Sequence, residues 1–157
     1  MSNHKNFMSE AVKAALKGMG NNDGGPFGCV IVKNGEVVGR GHNLVTSTND
    51  PTAHAEVTAI RDACKNLESF QLEGCIIYTS CEPCPMCLGA IYWARPDKVY
   101  YGCSKEDAAD IGFDDAFIYK EIPLPDNKRS ISFEQIERDT AIEPFNKWSE
   151  KMDKIGY

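Results

Sequence analysis

Residues 75–102 read CIIYTSCEPCPMCLGAIYWARPDKVYYG. Cys75 to Thr79 is a short apolar run rich in β-branched and aromatic residues, the pattern of a buried strand. Pro85 to Ala94 is long and apolar enough for a helix, which must end before Pro96 because a residue preceding proline is pushed out of the helical region. Lys98 to Gly102 forms a second strand. Two strands joined through a helix pair in parallel, since only a crossover of this length returns the chain to the same edge.

Upstream, Phe27 to Val32 and Glu36 to Arg40 are β-branched runs joined through Asn34-Gly35, a strong hairpin signal. A first helix over Phe7 to Lys17 places Phe7, Val12, Ala15 and Leu16 near one face before Gly18 and Gly20 stop it. Leu44 to Pro51 is polar and reads as a loop, delivering the chain into a helix marked by Val57, Ile60, Cys64 and Leu67. Downstream, about thirty residues separate the second parallel strand from a last candidate at Phe133 to Glu137, room for another crossover and so a parallel pairing. Ala141 to Met152 makes a terminal helix with Ile142, Phe145 and Trp148 on its apolar side. The elements compose a single domain over 1–157, a three-layer α/β/α sandwich around a mixed five-stranded sheet.

A chain of 157 residues can bury one core without staples, and its 42% apolar and 25% charged content is that of a folded protein. Neither an export signal nor a run long enough to span a membrane is visible, so a cytoplasmic protein with reduced thiols is expected. The net charge of −6 and the lack of basic clustering weigh against nucleic acid as a partner.

Three of the seven cysteines are Cys81, Cys84 and Cys87. Cys84 and Cys87, at i and i+3, project to one side of the helix that Pro85 opens, where free amides and the helix dipole favour thiolates. His54 and Glu56 lie at the start of the preceding helix. One histidine and two thiolates hold a zinc ion with a position left open for water, and Glu56 is the carboxylate that moves protons. This His-x-Glu with Pro-Cys-x-x-Cys pattern is also a known zinc deaminase signature. A closed structural site that adds Cys81 would give Glu56 no task. Cys29, Cys64, Cys75 and Cys103 read as buried hydrophobes, His4 as a surface residue and His42 as a strand-end residue.

With these residues the chain resembles the cytidine deaminase superfamily, and within it looks most like the bacterial zinc-dependent guanine deaminases. The resemblance runs through Gly24-Gly25-Pro26-Phe27-Gly28, Asn49 to Glu56, Thr79 to Cys87 and Gly112-Phe113-Asp114-Asp115-Ala116-Phe117. It implies one zinc per chain, held by His54, Cys84 and Cys87, and attack of zinc-activated water at C2 of guanine, releasing xanthine and ammonia. It further implies that Asn43 and the Ala55 amide hold the base while Phe27 and Trp93 wall the pocket. Guanine presents N–H donors beside C2, and either Asp114 or Asp115 can accept them, Asp115 being preferred. The family likeness also implies a homodimer in which the segment from about 141 to 157 is exchanged; Tyr157, at its end, covers a guanine pocket, either its partner's, which is preferred, or its own. A tRNA adenosine deaminase, a cytidine deaminase and a non-catalytic zinc-stabilised binding module are the competing readings.

Overall fold

The computed structural model describes residues 3–157, which fall into two compact units, one ending at Asp115 and one spanning Ala116–Tyr157. In the first unit, helix α1 (His4–Gly20) precedes strands β1 (Gly28–Lys33) and β2 (Glu36–His42), followed by α2 (Val45–Thr48) and α3 (Ala55–Asn66). Then come β3 (Cys75–Cys81), α4 (Pro85–Ala94), β4 (Lys98–Cys103) and α5 (Lys105–Asp110). Asn34 and Gly35 take positive φ values of 52° and 84°, turning the β1–β2 hairpin as expected. Among the described residues the sheet has the order β2-β1-β3-β4. Strand β1 is antiparallel to both β2 and β3, whereas β3 and β4 are parallel, in the register Ile77↔Val99 and Cys81↔Cys103.

Strand alternation sends successive side chains to opposite faces, and each face has its own core. Val30, Val32 and Tyr78 pack with Ala11 of α1. Cys29, Ile31, Cys75 and Ile77 pack with Ala55, Ala59 and Ala63 of α3 and with Ile91 and Ala94 of α4. These are the three layers. The alanine stripe, at i, i+4 and i+8, gives α3 a flat face that lies directly on β2. A Cβ at Gly41 would come within 2.4 Å of the Ala55 carbonyl oxygen and of the Ala59 nitrogen. Gly41 therefore sets the depth of α3, whose first turn carries His54 and Glu56.

The expected fifth strand is not formed, so the mixed sheet has four strands and not five. Phe133 to Glu137 has no ladder partner, and Ile131, Phe133 and Ile136 are 72%, 52% and 72% exposed. Its unit offers only short helices, α6 (Ala116–Glu121), α7 (Arg138–Ala141) and α8 (Glu143–Glu150), with a 3₁₀ turn at Asp126–Lys128. A strand exists only through its neighbour's hydrogen bonds, and the alternating apolar pattern finds none there. The single terminal helix expected over Ala141 to Met152 is two helices that meet at Ile142. Pro144 lacks the N–H that would continue the first, and it suits the opening turn of the second. The polar loop after Leu44 also holds one helical turn, because Ser47 and Thr48 hydroxyls donate back to the Leu44 carbonyl at 3.2 and 2.7 Å.

Two side chains depart from the sequence reading. Cys103, expected to be buried, is exposed because it ends edge strand β4. His4 is half-buried instead of lying on the surface, with Nδ1 2.7 Å from the Tyr78 hydroxyl.

Gly41→Ala should destabilise the protein by about 1–3 kcal/mol, the usual cost of forcing a methyl into a packed contact, and should lower zinc occupancy by displacing the α3 terminus. Urea unfolding alongside metal analysis measures both.

Candidate active site

The loop before α3 aims His54. Asp50 Oδ1 accepts hydrogen bonds from the Thr52 N–H at 2.8 Å and the Thr52 hydroxyl at 2.6 Å, and the Leu44 N–H donates to the Ala53 carbonyl at 2.9 Å. These bonds hold the Asp50 carboxyl below its ordinary range, the Thr52 hydroxyl contributing most. His54 is then the N-cap of α3 and Cys84 the N-cap of α4, with Pro85 at the first helical position. Two helix N-termini converge.

His54 Nδ1 lies 3.5 Å from Cys84 Sγ and 3.5 Å from Cys87 Sγ. All three ligand atoms fall within 4.8 Å of one another, the one such group found among the described residues. Tetrahedral zinc, with Zn–S of about 2.3 Å and Zn–N of about 2.0 Å, separates sulfur from nitrogen by about 3.5 Å. The donor set and its spacing fit one zinc ion per chain. Cys81 stands outside the group, its thiol donating to the Ser104 carbonyl at 3.5 Å, and burial pushes it up to about 11. A four-ligand site including Cys81 is not what this fold builds.

The thiols are electrically coupled. A hydrogen bond from the Cys87 thiol, helped by His54, draws Cys84 down to about 4, and that same bond together with burial drives Cys87 upward. His54 is raised by its bond to Cys84. A divalent cation at their common focus is what lets both sulfurs ionise.

Glu56 is 6% exposed and is not among the converging ligands. Thr79, 1% exposed on β3, donates its hydroxyl to Glu56 Oε1 at 2.8 Å. Burial raises the Glu56 carboxyl against the lowering effect of its own backbone N–H and of Thr79. A carboxyl lifted toward neutrality beside a metal site is suited to taking and returning protons. Thr79 was not assigned a task from sequence. Its signal was there: strand alternation places it on the face of Cys75 and Ile77, toward α3.

Asn43 is buried just after β2, its N–H donating to the Phe27 carbonyl at 3.1 Å. Its side-chain oxygen accepts from the Val45 N–H at 3.1 Å, which leaves the amide nitrogen as the donor face. Ala55, fully buried, opens α3, where backbone N–H groups have no partner in the helix. Phe27 is half-buried and meets Phe113 edge-on at 4.9 Å, joining the loop after α5 to this side of the fold. Asp115 is half-buried and raised by burial and by the charge of Cys84, so it lies within electrostatic reach of the metal ligands, while Asp114 is exposed. Trp93 is on the outer side of α4 and 64% exposed. Tyr157 belongs to the second unit and is exposed.

The cytidine and deoxycytidylate deaminase zinc-binding region matches residues 1–103, a span that contains both halves of this centre. Fold, donor set and buried carboxylate agree with that match: the chain belongs to the zinc-dependent deaminases of the cytidine deaminase superfamily. Guanine deaminase of Bacillus subtilis (strain 168) is 56% identical over 155 residues, covering 99% of each chain. The X-ray structure of guanine deaminase from Bacillus subtilis aligns with a TM-score of 0.96 at 55% identity, again over 99% of each chain. The tRNA-specific adenosine deaminase of Bacillus subtilis (strain 168) is 42% identical over 102 residues, 65% of this chain and 63% of that protein.

One zinc per chain should be found, and changing His54, Cys84 or Cys87 to Ala should abolish it, whereas Cys81→Ser keeps it. Metal analysis of the four purified variants is the check; zinc lost with Cys81 would restore the closed structural site.

Proposed function

We propose that the chain is a guanine deaminase, converting guanine and water to xanthine and ammonia. The observation that carries this reading is the extent of likeness to the Bacillus subtilis guanine deaminase, which continues through the Gly112 to Phe117 stretch and the C-terminal segment. The tRNA deaminase likeness covers only about two thirds of the chain, and a net charge of −6 repels a polyanion.

His54, Cys84 and Cys87 hold the zinc, which when bound supplies the Lewis acidity that makes water nucleophilic near neutral pH. Glu56, kept in place by Thr79, accepts the proton released by the water and passes it to a ring nitrogen of the base; it then takes the second proton, from the hydroxyl now on C2, and delivers it to the amine, so that ammonia leaves as the C2 carbonyl forms. Asn43, through its amide nitrogen, and the Ala55 N–H donate to the acceptors of the base. Asp115 accepts the N–H groups next to C2; its partial burial and reach to Cys84 favour it over Asp114. Phe27 walls the flat ring; Trp93, expected beside it, lies instead on the exposed outer side of α4.

The working form is a homodimer. Leu88, Tyr92 and Trp93 make the outer face of α4 apolar, and no residue of 116–157 is buried although it carries Phe117, Phe133, Phe145 and Trp148. Such surface is normally covered by a partner. The segment from about 141 to 157 exchanges between copies, and Tyr157 closes the partner's pocket against water. No helix among the described residues is long and apolar enough to cross a membrane. All seven cysteines are free, as a reducing cytoplasm keeps them.

Ammonia release from guanine, adenine, cytosine, cytidine and a tRNA anticodon stem tests the assignment, with guanine expected to be preferred. Preference for the tRNA stem would replace this reading by the rival one. In the same assay, Glu56→Ala should keep zinc and lose turnover by roughly a hundredfold to ten-thousandfold, and Asp115→Asn should depress guanine kcat/KM with zinc unchanged. Deleting Gly156 and Tyr157 should reduce guanine turnover without loss of zinc, and the parent should run as a dimer in solution. A fully active truncated protein removes the lid, and a monomeric parent removes the exchange.

A further inference from the structure

Outside the metal centre, His42 Nε2 lies 2.9 Å from Asp23 Oδ2, and both side chains are only about a quarter exposed. A carboxylate can face only an imidazole N–H, so His42 donates. The ring is wedged against α1: a Cβ at Gly18 would come within 2.3 Å of His42 Cδ2. The Asp23 N–H in turn donates to the Gly18 carbonyl at 3.0 Å, which anchors Asp23 on the end of the same helix.

Asp23 also uses its backbone carbonyl, which accepts from the Thr46 hydroxyl at 3.0 Å and from the Ser47 N–H at 3.1 Å. The links form a closed ring. From the Asp23 carboxylate it passes to His42, along the chain through Asn43 and Val45 to Ser47, and back to the Asp23 carbonyl. Asn43 lies inside this ring, its side-chain oxygen fixed by the Val45 N–H and its own N–H fixed on the Phe27 carbonyl. Phe27 is four residues beyond Asp23. The two base-binding residues thus hang from the two strands of chain that the His42–Asp23 bond clamps together.

We propose that His42 and Asp23 are positioning residues for base binding, setting through one hydrogen bond the placement of the Asn43 amide and of Phe27. The proposal rests on the reading of Asn43 and Phe27 as base contacts. Among the described residues the hydrogen bonds of His42 and Asp23 run to each other, to α1 and to the turn after Asn43, and none runs to Glu56 or to a zinc ligand. Loosening the ring should therefore weaken the grip on the base while leaving the proton transfers intact.

The test uses the zinc-loaded full chain with guanine. His42→Ala and Asp23→Ala should each raise KM about tenfold or more, with kcat within about threefold and one zinc retained, as expected for binding lost in ground and transition state alike. The double variant should be no worse than either single one, because both remove the same bond. His42→Gln, whose amide N–H can reach Asp23, should recover most of the KM. His42→Asn, too short to reach, should behave as His42→Ala and serves if the alanine variant folds poorly. Unchanged KM, additive losses, or a fall in kcat accompanied by zinc loss would each overturn the proposal. Absence of guanine turnover in the parent is a different failure, that of the functional reading, and the ratio of variant to parent on whichever base is turned over still decides the role of the ring.

Discussion

The structure depends on two helix N-termini being held so that their first residues meet at one point. His54 caps α3 and Cys84 caps α4, and their ligand atoms are 3.5 Å apart although thirty residues separate them in the chain. Metal sites tolerate errors of only a few tenths of an ångström, so the helices cannot be left to float. Both are seated on the same face of the sheet by small residues. Ala55, Ala59 and Ala63 lay α3 against Gly41, while Cys87, Ile91 and Ala94 bury the inner side of α4. The parallel β3–β4 pair sets where α4 starts, and the hairpin sets where the Asn43 loop leaves the sheet.

That convergence also organises the electrostatics. A thiol pair, an imidazole and a carboxyl are brought together, and each changes the proton affinity of its neighbours. Burial raises the Glu56 carboxyl, and the Thr79 hydroxyl that donates to it works the other way, steadying the charged form without neutralising it. An arginine in place of Thr79 would fix the carboxylate permanently. A neutral donor leaves it able to change state during a reaction.

Where the information was local, the sequence disclosed the structure. Asn34-Gly35 carries its own turn geometry, Pro85 carries the start of α4, and the strand, helix, strand order after Cys75 carries parallel pairing. The metal ligands were legible because one histidine and two cysteines with this spacing have few other uses. Thr79 and the His42–Asp23 bond were not, since their value lies in partners 23 and 19 residues away. The Phe133 to Glu137 segment misled because alternation describes a strand's faces and is silent on whether an edge is there to pair with. Cys103 misled in a related way: its apolar neighbours suggested a core, but it closes a strand at the border of the sheet.

The two sulfurs of the ligand set have a consequence for which ions the centre can discriminate among. Thiolates are soft donors, and magnesium or calcium, which seek oxygen, gain little from them however abundant they are. Selection against the common cellular cations is thus built into the choice of Cys84 and Cys87. Selection among the soft ones is not, because copper outranks zinc for sulfur and nitrogen alike. Softness alone therefore does not separate zinc from copper, and the same thiolates that suit zinc also suit other thiophilic metals.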